Sequence, residues 1–372
     1  MALIENTPRG LYCPAGDFYI DPWKCDSSMR AVITHGHSDH ARAGCGSYLC
    51  SPSCEHILRA RLGRNISTQT LPFGLAHELR IGDALVALLP AGHVLGSAMI
   101  RIRRAPSVTP AATPHDDGGT WLITGDYKLT ADGLTEPAEL CPCDTLITES
   151  TFGLPVFRWQ PDAQLRLDLN TWWHQCQQLG RTAVVFAYSL GKAQRILAMV
   201  DASLGPLLAH PAALAIVQAY SDAGATLPEI ILATPQATSA ARAAGAPALV
   251  VAPQSVDGSA WLTALGPVAT AVASGWMAIR GTRRRSNISR GFAISDHADW
   301  PQLLSACRQT GASRIGVTHG YTAPLVRYLT ESGTPAFELA TRFSGESPQP
   351  APEPSDTSDA AAAAEPPDAP DA

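Results

Sequence analysis

Six short apolar runs in this sequence each stop at a histidine or a carboxylate. They are Val32-Ile33 before His35, Leu88-Leu89 before His93, Leu122-Ile123 before Asp126, Leu146-Ile147 before Glu149, Phe292-Ala293-Ile294 before His297, and Ile315-Gly316-Val317 before His319. Short runs that are apolar throughout read as strands buried on both faces. If such strands each end in one of these groups, the groups line one edge of a sheet, and a rigid scaffold thereby assembles a site from distant sequence. The chain is therefore expected to build a sheet-based core with its chemistry at the strand ends.

The densest of these endings is Thr34-His35-Gly36-His37-Ser38-Asp39-His40. Imidazole nitrogen and carboxylate oxygen suit zinc and other borderline divalent ions. With His at the first, third and sixth positions and Asp at the fifth, the loop can turn ligands toward two adjacent metal positions, which two histidines on one helix face cannot do. Only 11 of 372 residues are His, so three within six residues argue against a polar turn with surface histidines. His93 lies between Gly92 and Gly96, which let the backbone turn tightly, and beside the first loop it reads as a further ligand rather than a core histidine.

His35, His37, Asp39, His40, His93, Asp126 and His319 are more ligands than one tetrahedral zinc can use, but they suit two metals if a carboxylate bridges them. Two ions about 3.5 to 4 Å apart can stabilise both the attacking and the leaving oxygen of an in-line displacement at phosphorus. Glu149 and His297 remain. A leaving alkoxide needs a proton, His supplies one near neutral pH, and a carboxylate beside it orients the ring and keeps it charged. Asp21, just upstream of the metal loop, has two readings at this stage: a carboxylate that steadies a ligating histidine, or a turn-forming Asp before Pro22.

The remainder of the chain frames this site. A helix is expected over 54–62 and another over 300–309, and residues 104–119 read as a long hairpin loop without chemistry. Between about 155 and 289 strand-like pieces (183–187, 207–209, 248–251, 269–274) alternate with helix-like ones (191–201, 212–223), the mark of a small α/β domain with a parallel sheet. At 45% hydrophobic the chain can bury a large core in one or two domains. No apolar run approaches the roughly 18 residues needed to span a bilayer, and the first residues lack the basic and apolar segments of a signal peptide, so no membrane partner and a cytoplasmic location are expected. The nine cysteines (13, 25, 45, 50, 54, 141, 143, 176, 307) include no CxxC pair and read as reduced thiols, several of them buried.

The formal charge of -6 looks wrong for a protein that handles nucleic acid until the last residues are set apart. Residues 346–372 hold seven acids and no Lys or Arg, so 33 acidic residues less seven leaves 26 against 27 basic ones. Net charge thus excludes nothing, and local distribution decides more. Rich in Pro, Ala, Asp and Ser, 346–372 reads as a disordered acidic tail.

Taken together, HxHxDH at 35–40, the Gly-His turn at 93, Gly-Asp at 126, Glu149, His297 and His319 resemble the metallo-β-lactamase-fold nucleases that carry an inserted β-CASP domain, in that family's order. The stretches Ser189-Leu190-Gly191-Lys192-Ala193-Gln194, Ser274-Gly275-Trp276-Met277-Ala278-Ile279-Arg280-Gly281 and Ser295-Asp296-His297-Ala298-Asp299-Trp300 look like the bacterial ligase-associated DNA exonucleases. The resemblance covers nearly all of 10–345. It implies an α/β fold, a four-layer αββα sandwich (1–155 and 290–345) interrupted by an α/β β-CASP domain (156–289).

The resemblance further implies two zinc ions, with manganese as an alternative: one on His35, His37 and His93, a second on Asp39, His40 and His319, and Asp126 bridging. Glu149 and His297 would be an acid/base pair and Asp21 the support of the metal loop. The implied activity is zinc-dependent exonucleolytic cleavage of DNA, single-stranded or opened at an end, in repair beside an ATP-dependent ligase and a helicase. RNA processing is the first alternative, since the same site chemistry cuts RNA; a small-molecule metallohydrolase is the second, against which the inserted domain, Glu149 and His297 speak.

Two segments are candidates for holding the nucleic acid backbone. Ser189 and Lys192 stand where a strand gives way to a helix, and a capped helix N-terminus with a nearby Lys is a ready anion site, although an ordinary capped helix with a solvent-facing Lys reads equally well. The run containing Arg280, Arg283, Arg284 and Arg285 is the densest basic segment and lies just before His297. Phosphate contact is the favoured reading there over a solvated face.

Overall fold

Side chains that are apolar on every residue of a strand need cover on both faces of a sheet, and three sheets provide it. In the computed structural model, which describes residues 2–106, 119–279 and 290–342, the first sheet holds β1 (Glu5–Thr7), β2 (Gly10–Cys13), β3 (Phe18–Ile20), β4 (Arg30–Val32), β5 (Ser47–Cys50) and β6 (Thr68–Thr70), in that order. The helix α1 (Pro52–Leu62) lies between β5 and β6, two residues longer at its start than the sequence suggests. Ser51 caps it, its hydroxyl accepting from Cys54 N at 3.2 Å, and Gly63 ends it at a φ of 106°.

The second sheet starts with β7 (Leu79–Ile81), β8 (Ala84–Pro90), β9 (Ala98–Arg104), β10 (Thr120–Ile123) and β11 (Thr145–Glu149). The antiparallel β9 and β10 are the arms of the expected hairpin; residues 107–118 of its loop lie outside the described residues. After β11 the chain leaves this sheet and builds a third. This one consists of β12 (Thr182–Phe186), β13 (Leu207–Ala209), β14 (Ile230–Leu232), β15 (Leu249–Ala252), β16 (Val268–Ala273) and β17 (Gly291–Phe292), with α2 (Asp162–Gln178), α3 (Lys192–Met199), α4 (Pro211–Asp222), α5 (Pro235–Ala243) and α6 (Ala260–Ala264) between them. The chain then returns through α7 (Trp300–Gln309) to add β18 (Arg314–Thr318), α8 (Thr322–Glu331) and β19 (Ala336–Glu338) to the second sheet.

The second sheet's order is β19-β18-β11-β10-β9-β8-β7, and the third is β14-β13-β15-β12-β16-β17, parallel throughout. The cores give the order of layers. Leu58 and Cys54 of α1 pack on Ala31 and Tyr48, on one face of the first sheet. Val32 and Leu49 on its other face meet Leu88, Ile100 and Ile123 of the second sheet. Beyond that, Leu122, Leu146 and Ile315 meet Leu303 of α7 and Leu325 of α8. The layers therefore run helix, sheet, sheet, helices, an α/β fold. The third sheet is covered on both faces, by α2, α3 and α4 on one and by Phe152, Phe157, Trp276 and α6 on the other.

Three expectations are corrected here. The apolar runs do not line one edge of one sheet: β4 belongs to the first sheet, β8, β10, β11 and β18 to the second, and β17 to the third. A doubly covered strand has the same composition whichever sheet it joins, so only packing could separate them. The parallel sheet also reaches Gly291–Phe292, past the expected boundary at 289. Finally, the cysteines are not all reduced. Cys25 and Cys45 form a disulfide between the loop after β3 and the turn before β5, a proximity that depends on β4 lying between β3 and β5. The other seven are free and buried, Cys141 and Cys143 within the apolar layer under α7 and α8. No helix among the described residues is long and apolar enough to cross a membrane. Residues 346–372 lie outside those described.

Candidate metal centre

The loop after β4 is held from below by one carboxylate. Asp21, itself at a φ of 41°, accepts from Thr34 N at 2.7 Å and from the Thr34 hydroxyl, and its Oδ2 takes the Nδ1 proton of His40 at 2.7 Å. Both sequence readings of Asp21 thus describe one residue: it bends the chain before Pro22 and fixes a ring of the metal loop. Thr34, which sequence reasoning passed over, relays this contact to His35, whose Nδ1 lies 3.0 Å from its hydroxyl.

With those nitrogens occupied, the opposite edges of the rings converge. His35 Nε2 and His93 Nε2 each lie 3.1 Å from His37 Nδ1, and they lie 3.6 and 3.8 Å from Asp126 Oδ2. On the other side of the same oxygen, His40 Nε2 is 3.6 Å away. Asp39 Oδ2 stands 3.8 Å from both His40 Nε2 and His319 Nε2, and His319 Nδ1 is 3.0 Å from Asp126 Oδ1. Among the described residues His319 is one of three non-glycine positions with a positive φ, 62°, which turns its ring back from the end of β18.

These spacings test the fit of a metal. Donors 2.0–2.1 Å from a tetrahedral ion stand about 3.3–3.4 Å apart, and the observed separations bracket that value. The seven donors fall into two groups, His35, His37, His93 with Asp126, and Asp39, His40, His319, with Asp126 reaching both. A carboxylate as deeply buried as Asp126 would otherwise need a cationic partner of its own. The set fits two divalent ions.

Electrostatics point the same way. Burial, with the neighbouring imidazoles, holds His35 and His93 well below the usual histidine value, and burial lowers His37 too, so these rings are neutral, as ligands must be. Burial also opposes charge on His40, yet Asp126, Asp39 and Asp21 outweigh it and raise that ring to about 10. Here a protonated imidazole balances carboxylates that a metal ion would neutralise. Burial likewise disfavours the Asp126 carboxylate, but His319, His40 and His297 around it keep it well below the carboxylate range.

Beside the metal positions, Glu149 at the end of β11 accepts from Tyr127 N at 2.8 Å, and its Oε2 lies 3.0 Å from His297 Nδ1. His297 Nδ1 is 3.9 Å from Asp126 Oδ2. The Ser295 hydroxyl accepts from His297 N, and the indole of Trp159 donates to His297 O at 2.8 Å. Asp296, which the sequence offered as part of a motif without a role, uses its carbonyl to accept from His93 Nδ1 at 2.8 Å.

The two nucleic-acid segments fare differently. Ser189 does not cap α3: that helix begins at Lys192 after Gly191, whose N–H donates to Gln194 Oε1 at 2.8 Å. Lys192 does not face solvent. It is 2% exposed and its ammonium lies 3.3 Å from Asp296 Oδ2, so its charge is committed within the protein. The strand-to-helix position was legible, but the partner comes from 104 residues away. Arg280, Arg283, Arg284 and Arg285 lie outside the described residues.

Sequence similarity now gives the class. The chain is similar to a protein named as a DNA ligase and to endoribonucleases, relatives consistent with the β-CASP metallo-β-lactamase nucleases that its motifs resemble. Over 337 residues it is 31% identical to the "Probable DNA ligase" of Opitutus terrae, an alignment that covers 89% of this chain and 30% of that protein. Over 138 residues it is 31% identical to "Endoribonuclease ysh1" of Aspergillus fumigatus, covering 36% of this chain and 14% of that one. The chain thus spans less than a third of either relative. Among solved structures, the crystal structure of a protein of unknown function from Enterococcus faecalis V583 superimposes with a TM-score of 0.52 at 12% identity, covering 86% of this chain and 80% of the other, and shares the fold. No family model matches the chain.

Proposed function

We propose that this chain is a zinc-dependent phosphodiesterase acting on DNA as an exonuclease. The observation that carries the reading is the position of Asp126 Oδ2, within 3.6 to 3.9 Å of His35, His40, His93 and His297, which joins two metal positions to one acid/base pair. In this reading His35, His37 and His93 would hold one ion and Asp39, His40 and His319 the other, with Asp126 placed to reach both. A pair of divalent ions there would supply Lewis acidity toward a phosphoryl oxygen and toward the attacking water.

The chain's own residues do the rest. Glu149 fixes the tautomer of His297 by taking its Nδ1 proton in a hydrogen bond, and His297 protonates the leaving oxygen from Nε2. Asp21 holds the metal loop in register. The segment of the third sheet, proposed as the β-CASP domain over 156–289, leads through its last strand directly into His297 and brings Leu190 O against His37.

DNA is favoured because the similarity to the ligase-named relative runs over 89% of the chain, whereas the endoribonuclease matches 36%. An ATP-dependent ligase as working partner, and a helicase beside it, rest on that one likeness in name. RNA processing stays the second reading on the strength of the endoribonuclease relative. Matched single-stranded DNA and RNA oligonucleotides, labelled at either end and incubated with zinc-loaded protein and an Asp126→Ala control, separate the two. Laddering of DNA from one end is expected; internal cuts in RNA with DNA intact would transfer the enzyme to RNA processing, and no cleavage of either would sink the nuclease reading.

A further inference from the structure

An imidazole ligand presents one nitrogen to a metal and needs an acceptor for the N–H on the other, and that acceptor sets tautomer and orientation. For His40 the acceptor is Asp21, inside the first sheet's own layer, and for His319 it is Asp126. For His37 and His93 the acceptors come from the third sheet's segment instead. His37 Nε2 donates to Leu190 O at 3.2 Å, from the loop between β12 and α3, and His93 Nδ1 donates to Asp296 O at 2.8 Å, just after β17. One metal position is braced by the stacked sheets alone, whereas two of the other's three imidazoles, His37 and His93, are braced from outside them.

What holds the Asp296 carbonyl in place is a buried charge cluster. Arg195 of α3, 4% exposed, donates through Nη1 to Ser295 O and to Asp296 Oδ1 at 3.2 Å, and through Nη2 to Asp162 Oδ1 at 2.7 Å at the start of α2. Lys192 takes the other Asp296 oxygen. A planar guanidinium can span these acceptors at once, which a lysine cannot.

Resting on the two-metal reading above, we infer that Arg195 is a positioning residue: by anchoring Asp296 to α2 and α3 it orients His93, and makes the His35/His37/His93 metal position depend on the third sheet's segment while the Asp39/His40/His319 position does not. The cluster carries three cations, Lys128, Lys192 and Arg195, against Asp132, Asp162 and Asp296. Removing the Arg195 charge therefore unbalances it and releases the segment that carries the Asp296 carbonyl. His93 then loses the acceptor that fixed its tautomer, with no ligand atom altered.

The test is titration of metal-free protein with zinc against a chromophoric chelator, which resolves two binding steps, with His37→Ala and Asp39→Ala identifying which step is which. Arg195→Gln should weaken the His37 step at least tenfold and leave the Asp39 step within twofold of wild type. Asp296→Asn, which keeps the backbone carbonyl but loses the ion pairs, should do the same and serves if Arg195→Gln does not fold. The double variant should be no worse than the weaker single one, since both act through one contact. Equal weakening of both steps, or loss of melting temperature with both steps unmoved, would reduce Arg195 to a stability residue and overturn the inference. If the wild-type chain itself takes up fewer than two zinc ions, the two-metal reading fails instead.

Discussion

Replacing Asp21 by asparagine asks whether the metal loop is held by a charge or only by a shape. Asp21 is 1% exposed, and its two oxygens serve Thr34 N, the Thr34 hydroxyl and His40 Nδ1. Its φ of 41° is one that Asn tolerates better than most residues, so the exchange leaves backbone strain nearly unchanged. The new side chain keeps one carbonyl oxygen for Thr34 N, but its amide nitrogen must then face the His40 Nδ1 proton, donor against donor. Loss of a carboxylate behind a ligating imidazole costs about 10- to 100-fold in metal affinity, which is about 1.4 to 2.7 kcal/mol. Exchanging a charge-assisted buried bond for an opposed pair should also cost about 1.5 to 3 kcal/mol of folding stability. Zinc competition titrations and denaturant unfolding of the metal-free protein read the two quantities. The reasoning is refuted if Asp21→Asn binds two zinc ions with wild-type affinity, since the ring of His40 would then be oriented without its partner.

Other consequences follow from the same geometry. Asp126→Ala removes the oxygen common to both donor groups and should lose metal and cleavage together; metal analysis showing two bound ions would contradict its bridging place. His297→Ala should retain both metals and lose about 10²- to 10⁴-fold in cleavage rate, the usual worth of a general acid; single-turnover kinetics at the wild-type rate would remove that role. Burial, reinforced by the charge of Arg195, pulls the Lys128 ammonium from 10.5 down to about 8, and its Nζ has no hydrogen-bond partner among the described residues. A lysine lowered in this way costs stability below about pH 8 and progressively less as the pH climbs toward 10.5. Wild-type protein should accordingly gain in melting temperature relative to Lys128→Met across that window, and a constant difference from pH 7.5 to 10.5 would count against the shift.

Much of the site could be read locally because its ligand types sit at abrupt ends of apolar runs. Gly92-His93 and Gly125-Asp126 are legible for one reason: the backbone has a positive φ at both glycines, 70° and 55°, and at Gly125 an added Cβ would fall 2.6 Å from Thr34. A turn that only glycine permits therefore marks the ligand that follows it. The helix over 300–309 was equally local, with Asp299 capping it through Gln302 N at 3.1 Å and Pro301 in its first turn.

What the sequence by itself determined is the inventory of ligand-type groups, their strand-end setting and the alternation that builds a parallel sheet, because each depends on neighbours within a few residues. What only the tertiary structure decided is which partners those groups meet. Nothing near Lys192 announces that its charge is spent on Asp296, nor near Cys25 that Cys45 will lie against it. The run before His297 looks like those before His93 and His319, yet it joins a different sheet. Hydrophobic patterning reports how completely a strand is covered, whereas the identity of what covers it is a property of packing across the whole chain.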